Sequence, residues 1–520
     1  MGYEQAKNIQ PLRWKDFSGG WFPGKEHNLI PENGASDCNN VVWFEGSLQP
    51  IWGYNNVNTS ALQSGAAGNG LIEFKEDSNN LVGVFGTRIY ENLQNAVPDL
   101  LAGVTLTTGL QCDMIEFNNG TTNMIVGVNG TDAPWSFDGT TLQALSGSPP
   151  TGRWIEYFNN FVYIARHTNQ PNRLYYSAVN SATSWNTTDG TGDYFTFDGP
   201  ITGIKSFGKQ LVVFKNDSIG VLTGYDVTDF VQVSRFINGV GCVAGHSIVE
   251  GRLGGPAGKA VLIFLAHDGI YAFDGTQNLT KLSNPIERKF IGGSSTNRWN
   301  ESRFANAVAT FSTRYQWYIL GISDSGDTTN AFQLILDCSQ PFTTPDNKTA
   351  VPHWPFDGPV TNAIAVRKNS NNREDIYFMG SDGFTYLYDP SLYNRDGVAY
   401  TSFWTSKIND IEQTWILREM NGVFEQLGDF DIEIYLNSDQ QSGLGETTTV
   451  NTASSGYVLD TNFPLDTATL GGNGFLFLNA DIVNSGRFLQ WTIRNQVLNS
   501  RFSLRSMEIL LKMIGTRPNA

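Results

Sequence analysis

The chain has 520 residues, of which 16% are charged and 12% aromatic, with 54 glycines and a formal net charge of −16. A hydrophobic fraction of 40% excludes a disordered chain, and the shortage of charge excludes an architecture of long solvated helices. The acidic balance excludes a protein that grips nucleic-acid phosphates through a basic face.

Residues 1–65 read as an N-terminal entry segment with closing strands. Its start, MGYEQAKNIQPLRWKDFSGG, has no apolar core, so no cleaved signal is expected. Position 6 is Ala where a myristoylation motif wants Ser or Thr. Trp14, Trp21, Trp43 and Trp52 crowd this segment. They suit docking or sugar stacking, and equally burial in the chain's own closure. NNVVWFEGSLQPIWGY, 39–54, reads as a hairpin turning at Glu45-Gly46-Ser47, and SGAAGNG, 64–70, as a flexible joint.

Residues 66–398 carry a recurring phrase: an apolar strand, a tight polar turn, then an aromatic-bearing strand. It reads VLIFLAHDGIYAFDGTQNLTKLS at 261–283 and MIVGVNGTDAPWSFDGTTLQALS at 124–146. Marked at Tyr90, Trp135, Tyr175, Val221, Tyr271, Phe332 and Tyr386, the copies lie 45, 40, 46, 50, 61 and 54 residues apart. Such a period, with several short strands per unit, predicts a β-propeller of seven blades, with six as the fallback. A terminal strand, 41–44 or 48–54, is expected to close the ring beside the Tyr386 unit. Asp138-Gly139 and Asp274-Gly275 read as hairpin turns rather than ligands. NPIERKFIGG, 284–293, reads as an inserted short helix begun by Pro285.

From residue 399 to 520 longer segments alternate apolar and polar residues like half-buried strands, predicting a C-terminal β-sandwich. They flank a polar loop, 437–474. From Asp429 to Asp481 there are eight acidic residues and no Lys or Arg, whereas from Arg487 to Arg517 six basic residues accompany only Glu508. The predicted fold class is therefore all-β throughout, and no apolar run is long enough to span a membrane.

The search for chemistry finds no catalytic, cofactor or metal site. The five histidines lack zinc-binding spacing, and no G-x-S-x-G elbow occurs. GGPAGKA, 254–260, imitates a phosphate loop but has Leu253 and Ala260 where Gly and Ser or Thr belong. SDSGDTT, 323–329, reads as an ordinary hairpin loop. Cys38, Cys112, Cys242 and Cys338 are widely spaced and read as reduced, buried thiols of a protein folded in a cytosol. The sequence predicts no enzymatic activity.

One resemblance covers both ends and the middle. DFSGGWFPGKEHNLIPENGASDCNNVVWFEGSLQPIWGY, 16–54, resembles the entry motif of tail hub and nozzle proteins from short-tailed bacteriophages. HDGIYAFDGTQNLTKLSNPIERKF, 267–290, and GRFLQWTIRN…FSLRSMEILL, 486–511, are similar to their blade hairpins and C-terminal strands. The resemblance implies a structural virion protein of the tail, assembled in the host bacterial cytoplasm. It would form a homo-oligomeric ring, a hexamer, below the portal and head-to-tail adaptor. That ring would carry tail fibre or spike proteins and pass double-stranded DNA without sequence-specific binding. Trp14, Phe17, Trp21 and Phe22 are then candidate subunit-interface residues. Asp439, Glu446, Asp460 and Asp466 are candidate channel-lining residues, because an acidic lumen repels DNA and keeps it moving. The alternative is a receptor- or carbohydrate-binding propeller, and, further off, a glycan-active enzyme.

Overall fold

The computed structural model describes residues 9–185, 192–291, 298–425, 427, 430–439, 446–451, 475–479 and 484–514. The described elements are almost all strands, with only short 3-10 turns between them. The chain divides into two compact units. One comprises Asn55–Pro341 and Asp357–Tyr388, and the other Met1–Tyr54, Phe342–Phe356 and Asp389–Ala520.

The first unit is a seven-bladed β-propeller. Each blade is a four-stranded antiparallel sheet. In blade 2 the strands are Asp113–Asn118, Asn123–Val128, Trp135–Phe137 and Leu142–Ala144, in sequential order. Blades 1 to 5 all use consecutive strands; the sixth takes His353–Asp357 as its fourth and the seventh takes Gly53–Asn56. The seven aromatic or apolar markers from the sequence all fall in the third strand of successive blades.

Neighbouring blades bury their faces against each other, so a central strand is apolar on both sides. In Asn80–Phe85 of blade 1, Val82 and Val84 pack toward Trp135 and Phe137 of blade 2. Leu81 and Phe85 of the same strand pack toward Ala363, Tyr377 and Met379 of blade 7. The period-2 alternation of strand side chains thus serves two cores at once.

Three expectations are corrected here. Ring closure uses Gly53–Asn56, overlapping only the end of the expected 48–54 strand, while Val41–Phe44 joins the other unit's sheet. The joint at 64–70 is half strand: Gly68–Phe74 opens blade 1, because a Cβ at Gly68 would lie 2.4 Å from Met379 and one at Gly70 2.9 Å from Met114. These glycines permit close approach rather than flexibility. The insert at 284–293 forms only a 3-10 turn, Asn284–Lys289, with Pro285 in its first turn.

The second unit is the predicted all-β C-terminal part. Its strands form one twelve-stranded sheet that curls into a nearly closed, barrel-like surface. The two ends of the chain meet in it: Ile9–Trp14 runs antiparallel to Leu504–Met513, with Ile9 opposite Lys512 and Trp14 opposite Met507. Val41–Phe44 and Ser47–Pro50 form the expected hairpin, turning at Glu45-Gly46 with both φ positive. The domain boundaries move accordingly. By compactness, the entry segment to Tyr54 and residues 342–356 cluster with the C-terminal residues, and the other unit holds 55–341 and 357–388.

Closure of the propeller rests on Asn58, which is 1% exposed. Its side chain donates to Ser60 O at 2.7 Å and Gly383 O at 3.0 Å, and accepts from Thr385 N at 2.8 Å. Val57 N adds a bond to Thr385 O at 2.8 Å. Replacing Asn58 with Leu leaves these backbone groups unpaired and should cost about 2–4 kcal/mol. A fall in the urea midpoint of the full chain, measured against the wild type, checks this. Phe264→Ala, which empties a fully buried site between blades 4 and 5, should cost about 3–5 kcal/mol in the same titration.

Candidate functional site

The first strands of the blades lie against one another around the propeller axis. Three of them share a triplet: Ile72-Glu73-Phe74, Ile115-Glu116-Phe117 and Ile155-Glu156-Tyr157, with Ile204-Lys205 at the matching place in blade 4. Strand alternation sends the flanking apolar residues toward the blade interfaces and leaves the charged residue at the axis.

These charges join one blade to the next. Glu374 of blade 7 accepts from Ser312 Oγ at 2.7 Å, from Arg314 N at 2.9 Å and from Thr313 in blade 6. Glu73 of blade 1 accepts from Lys368 N of blade 7 at 2.6 Å. Glu116 of blade 2 accepts from Glu76 N of blade 1 at 3.1 Å. Asp113 of blade 2 accepts from Ile155 N of blade 3 at 2.9 Å. Glu156 of blade 3 pairs with Lys205 Nζ of blade 4 at 2.8 Å and accepts from Ser206 Oγ at 3.1 Å. Charge-assisted bonds of this kind are roughly twice as strong as neutral ones.

Between them lies a two-part hollow. A cavity of about 230 Å³ is lined by Gln111, Asp113, Trp154, Glu156, Lys205 and His246, among others. It shares Met114, Ile115, Glu156 and Lys205 with a wider vestibule of about 790 Å³, which bears Glu73, Glu116, Thr310 and Lys368. Gln111 Nε2 reaches across from blade 2 to Asn306 O and Asn362 O, at 3.3 and 3.4 Å, and closes the far end. Burial raises the Asp113 carboxyl to about 7, against the bonds from Ile155 N and Met114 N and the charge of Lys205. Glu156 holds the Lys205 ammonium above its ordinary range. Burial, helped by Arg153, depresses His246 to about 3. Among the described residues no group of acids, histidines and cysteines could hold a metal ion.

The residues singled out from the sequence lie elsewhere. Trp14, Phe17, Trp21 and Phe22 are all buried, at 3, 0, 6 and 1% exposure. Trp14 packs edge-on against Trp491 at 5.5 Å, and Phe17 against Trp404 at 5.2 Å. Trp21 Nε1 donates to Asp37 at 3.2 Å, and Phe22 lies against Phe342. Their rings form the core of the second unit and offer no surface to a neighbour, which corrects their place as interface residues. Asp439 is exposed and accepts from Arg487 N and Phe488 N at 2.6 and 3.2 Å. Glu446 begins Glu446–Asn451, opposite Leu436. Asp460 and Asp466 lie outside the described residues. Arg494 and Arg505 pair with Glu433 and Glu425 within the same sheet. The four cysteines are free and buried. GGPAGKA and SDSGDTT are hairpin loops of blades 5 and 6.

The axial charges carry their own sequence signal, an Ile-Glu-aromatic triplet centred on positions 73, 116 and 156, which the third-strand aromatic period does not contain.

No family model matches the chain, and no curated protein matches it. Solved structures similar to it include Sqt1 of Saccharomyces cerevisiae, at 9% identity over 65% of this chain and 99% of that one, with a TM-score of 0.37. The CNH domain of AfRom2 matches at 9% identity, 66% and 99% coverage and a TM-score of 0.36. The N-terminal domain of Nup159 matches at 10% identity, 65% and 95% coverage and a TM-score of 0.34.

The axial titrations act in opposite directions. Asp113 keeps its proton in the folded state up to about pH 7 but loses it near 3.8 when unfolded, so its share of stability falls as pH rises through that window. His246 stays neutral when folded but takes a proton below about 6.5 when unfolded, so its share falls as pH drops. Urea titrations at pH 4.5 and 8 should therefore find Asp113→Asn favoured relative to wild type at pH 8, and His246→Phe favoured at pH 4.5. Lys205→Met, which strands Glu156 at 6% exposure, should cost about 2 kcal/mol, less than a fully buried pair because Lys205 is partly solvated.

Proposed function

We propose that this chain is a structural subunit of a short phage tail: a hub or nozzle ring that surrounds the path of ejected DNA and carries fibres or spikes. The observation that carries the reading is where the resembling segments lie. Of the resembling segments, residues 20–50 and 486–511, far apart in sequence, contribute strands to one twelve-stranded sheet, while 267–290 lies in blade 5. Together the two ends make a single structural module, as expected if both belong to one ring-building element.

The propeller axis is crossed by Gln111 and lined by charged side chains around a small hollow, which is too narrow to serve as the duct. In this reading the duct lies between copies, around the rotation axis of a closed head-to-tail ring. The net charge of −16 supports a lumen that repels duplex DNA. Arg494 and Arg505, being paired with glutamates of their own chain, are poorly placed to clamp phosphates. Asp439, Glu446, Asp460 and Asp466 remain the proposed lumen residues. Glycan turnover has no residue constellation behind it.

Native mass measurement and electron microscopy of the chain assembled with an adaptor complex should count six copies. Five or twelve copies would refute the ring as proposed. The assembled ring should leave a duplex unretarded in a gel at about 50 mM salt. Lysine in place of Glu446, Asp460 and Asp466 together should cause retention that weakens as salt rises.

A further inference from the structure

The closed end of the propeller axis holds more unsatisfied polar chemistry than the blade-to-blade bonds use. Four buried side-chain atoms around it have no hydrogen-bond partner: Gln111 Oε1, Arg153 Nε, Trp154 Nε1 and His246 Nε2. They come from blades 2 and 3 and from the turn Gly245–Ser247 that precedes the first strand of blade 5. Gln111, Trp154 and His246 line the cavity of about 230 Å³ directly. Arg153 lies over the Trp154 ring at 5.2 Å, and His246 meets that ring edge-on at 4.9 Å. Trp154 is only 4% exposed, so its indole N–H has no access to bulk water. Leaving such groups unpaired costs about 1–3 kcal/mol each.

The donor and acceptor inventory defines what would satisfy them. Trp154 and Arg153 can only donate, Gln111 Oε1 can only accept, and a neutral imidazole nitrogen does one or the other. Above about pH 7, where Asp113 is ionised, the charges near the cavity balance, with Asp113 and Glu156 against Lys205 and Arg153. An anion or a cation would upset that balance, whereas an uncharged group that both donates and accepts would not. The exposed lining is mainly polar, with smaller apolar contributions from Ile204, Ile248, Val308 and the Trp154 ring.

We infer that this blind pocket binds a neutral, hydroxyl-rich ligand the size of one monosaccharide ring, inserted through the vestibule. The hydroxyls take hydrogen bonds from Trp154 and Arg153 and give one to Gln111, while the C–H face rests on the apolar groups of the lining. Glu73, Glu116 and Thr310 in the vestibule leave room for a substituent or a second sugar. The pocket belongs to one propeller, so its failure would leave ring assembly untouched, and loss of the ring would leave the pocket intact.

The full-length chain is titrated with the methyl glycosides of D-glucose, D-galactose and D-mannose and with N-acetyl-D-glucosamine. Binding is read by saturation-transfer NMR and calorimetry, with L-glucose correcting for general co-solvent stabilisation. At least one D-sugar should bind saturably, and its affinity should fall at least tenfold in Trp154→Phe and in Gln111→Met. Ala309→Leu, which narrows the cavity without touching a polar group, should abolish binding and decides the matter if either polar variant fails to fold. No D-sugar exceeding L-glucose, or unchanged affinity in the folded variants, overturns the inference; in that case ordered water fills the cavity.

Discussion

A propeller blade with two apolar faces cannot exist alone, and that constraint governs most of this molecule. Val82 and Val84 need blade 2, while Leu81 and Phe85 of the same strand need blade 7. Each sheet therefore completes its neighbours, and none can be omitted without exposing two cores. The ring must close, and it closes by bringing the segment around Asn55–Asn58 to the Thr385 strand, over three hundred residues away in sequence. Buried Asn58 does with side-chain bonds what a continuous ladder would do in the other blades.

The same closure explains the charged axis. Where the first strands converge around a hollow, bare backbone would leave polar groups unpaired. Carboxylates solve this by reaching to the next blade's backbone N–H groups, as Glu73, Glu116 and Asp113 do. The cost is desolvation, visible in the raised Asp113 carboxyl and in the need of Glu156 for Lys205. Structural demand thus gathers titratable groups around a hollow, and an axial pocket follows with no separate provision for one.

The second unit meets a different problem. Its strands are longer and covered on one face only, so their alternating pattern suits a curled sheet as well as a sandwich. The aromatic residues decide the interior: Trp14, Phe17, Trp404 and Trp491 pack edge to face, and both chain ends supply them. Arg494 and Arg505, conspicuous as a basic run, answer Glu433 and Glu425 on neighbouring strands. Two members of that basic run are thus matched by local pairing once the strands are aligned.

The all-β class, the seven blades and the position of every third strand were legible in the residues, because period, turn chemistry and two-sided apolarity are local properties. The hairpin at Glu45-Gly46 and the buried free thiols were legible for the same reason. What tertiary structure alone decided is which distant segments meet. Alternation cannot say how half-buried strands close on one another, and the structure arranges the C-terminal ones as one twelve-stranded, nearly closed surface. Aromatic residues crowded at 14–22 look alike whether they face a neighbour or a core, and it is distant strands such as 402–406 and 485–495 that bury Trp14 and Phe17. The closed end of the axis was invisible in the sequence, since Gln111, Trp154 and His246 share no spacing and converge only when the ring of blades is complete.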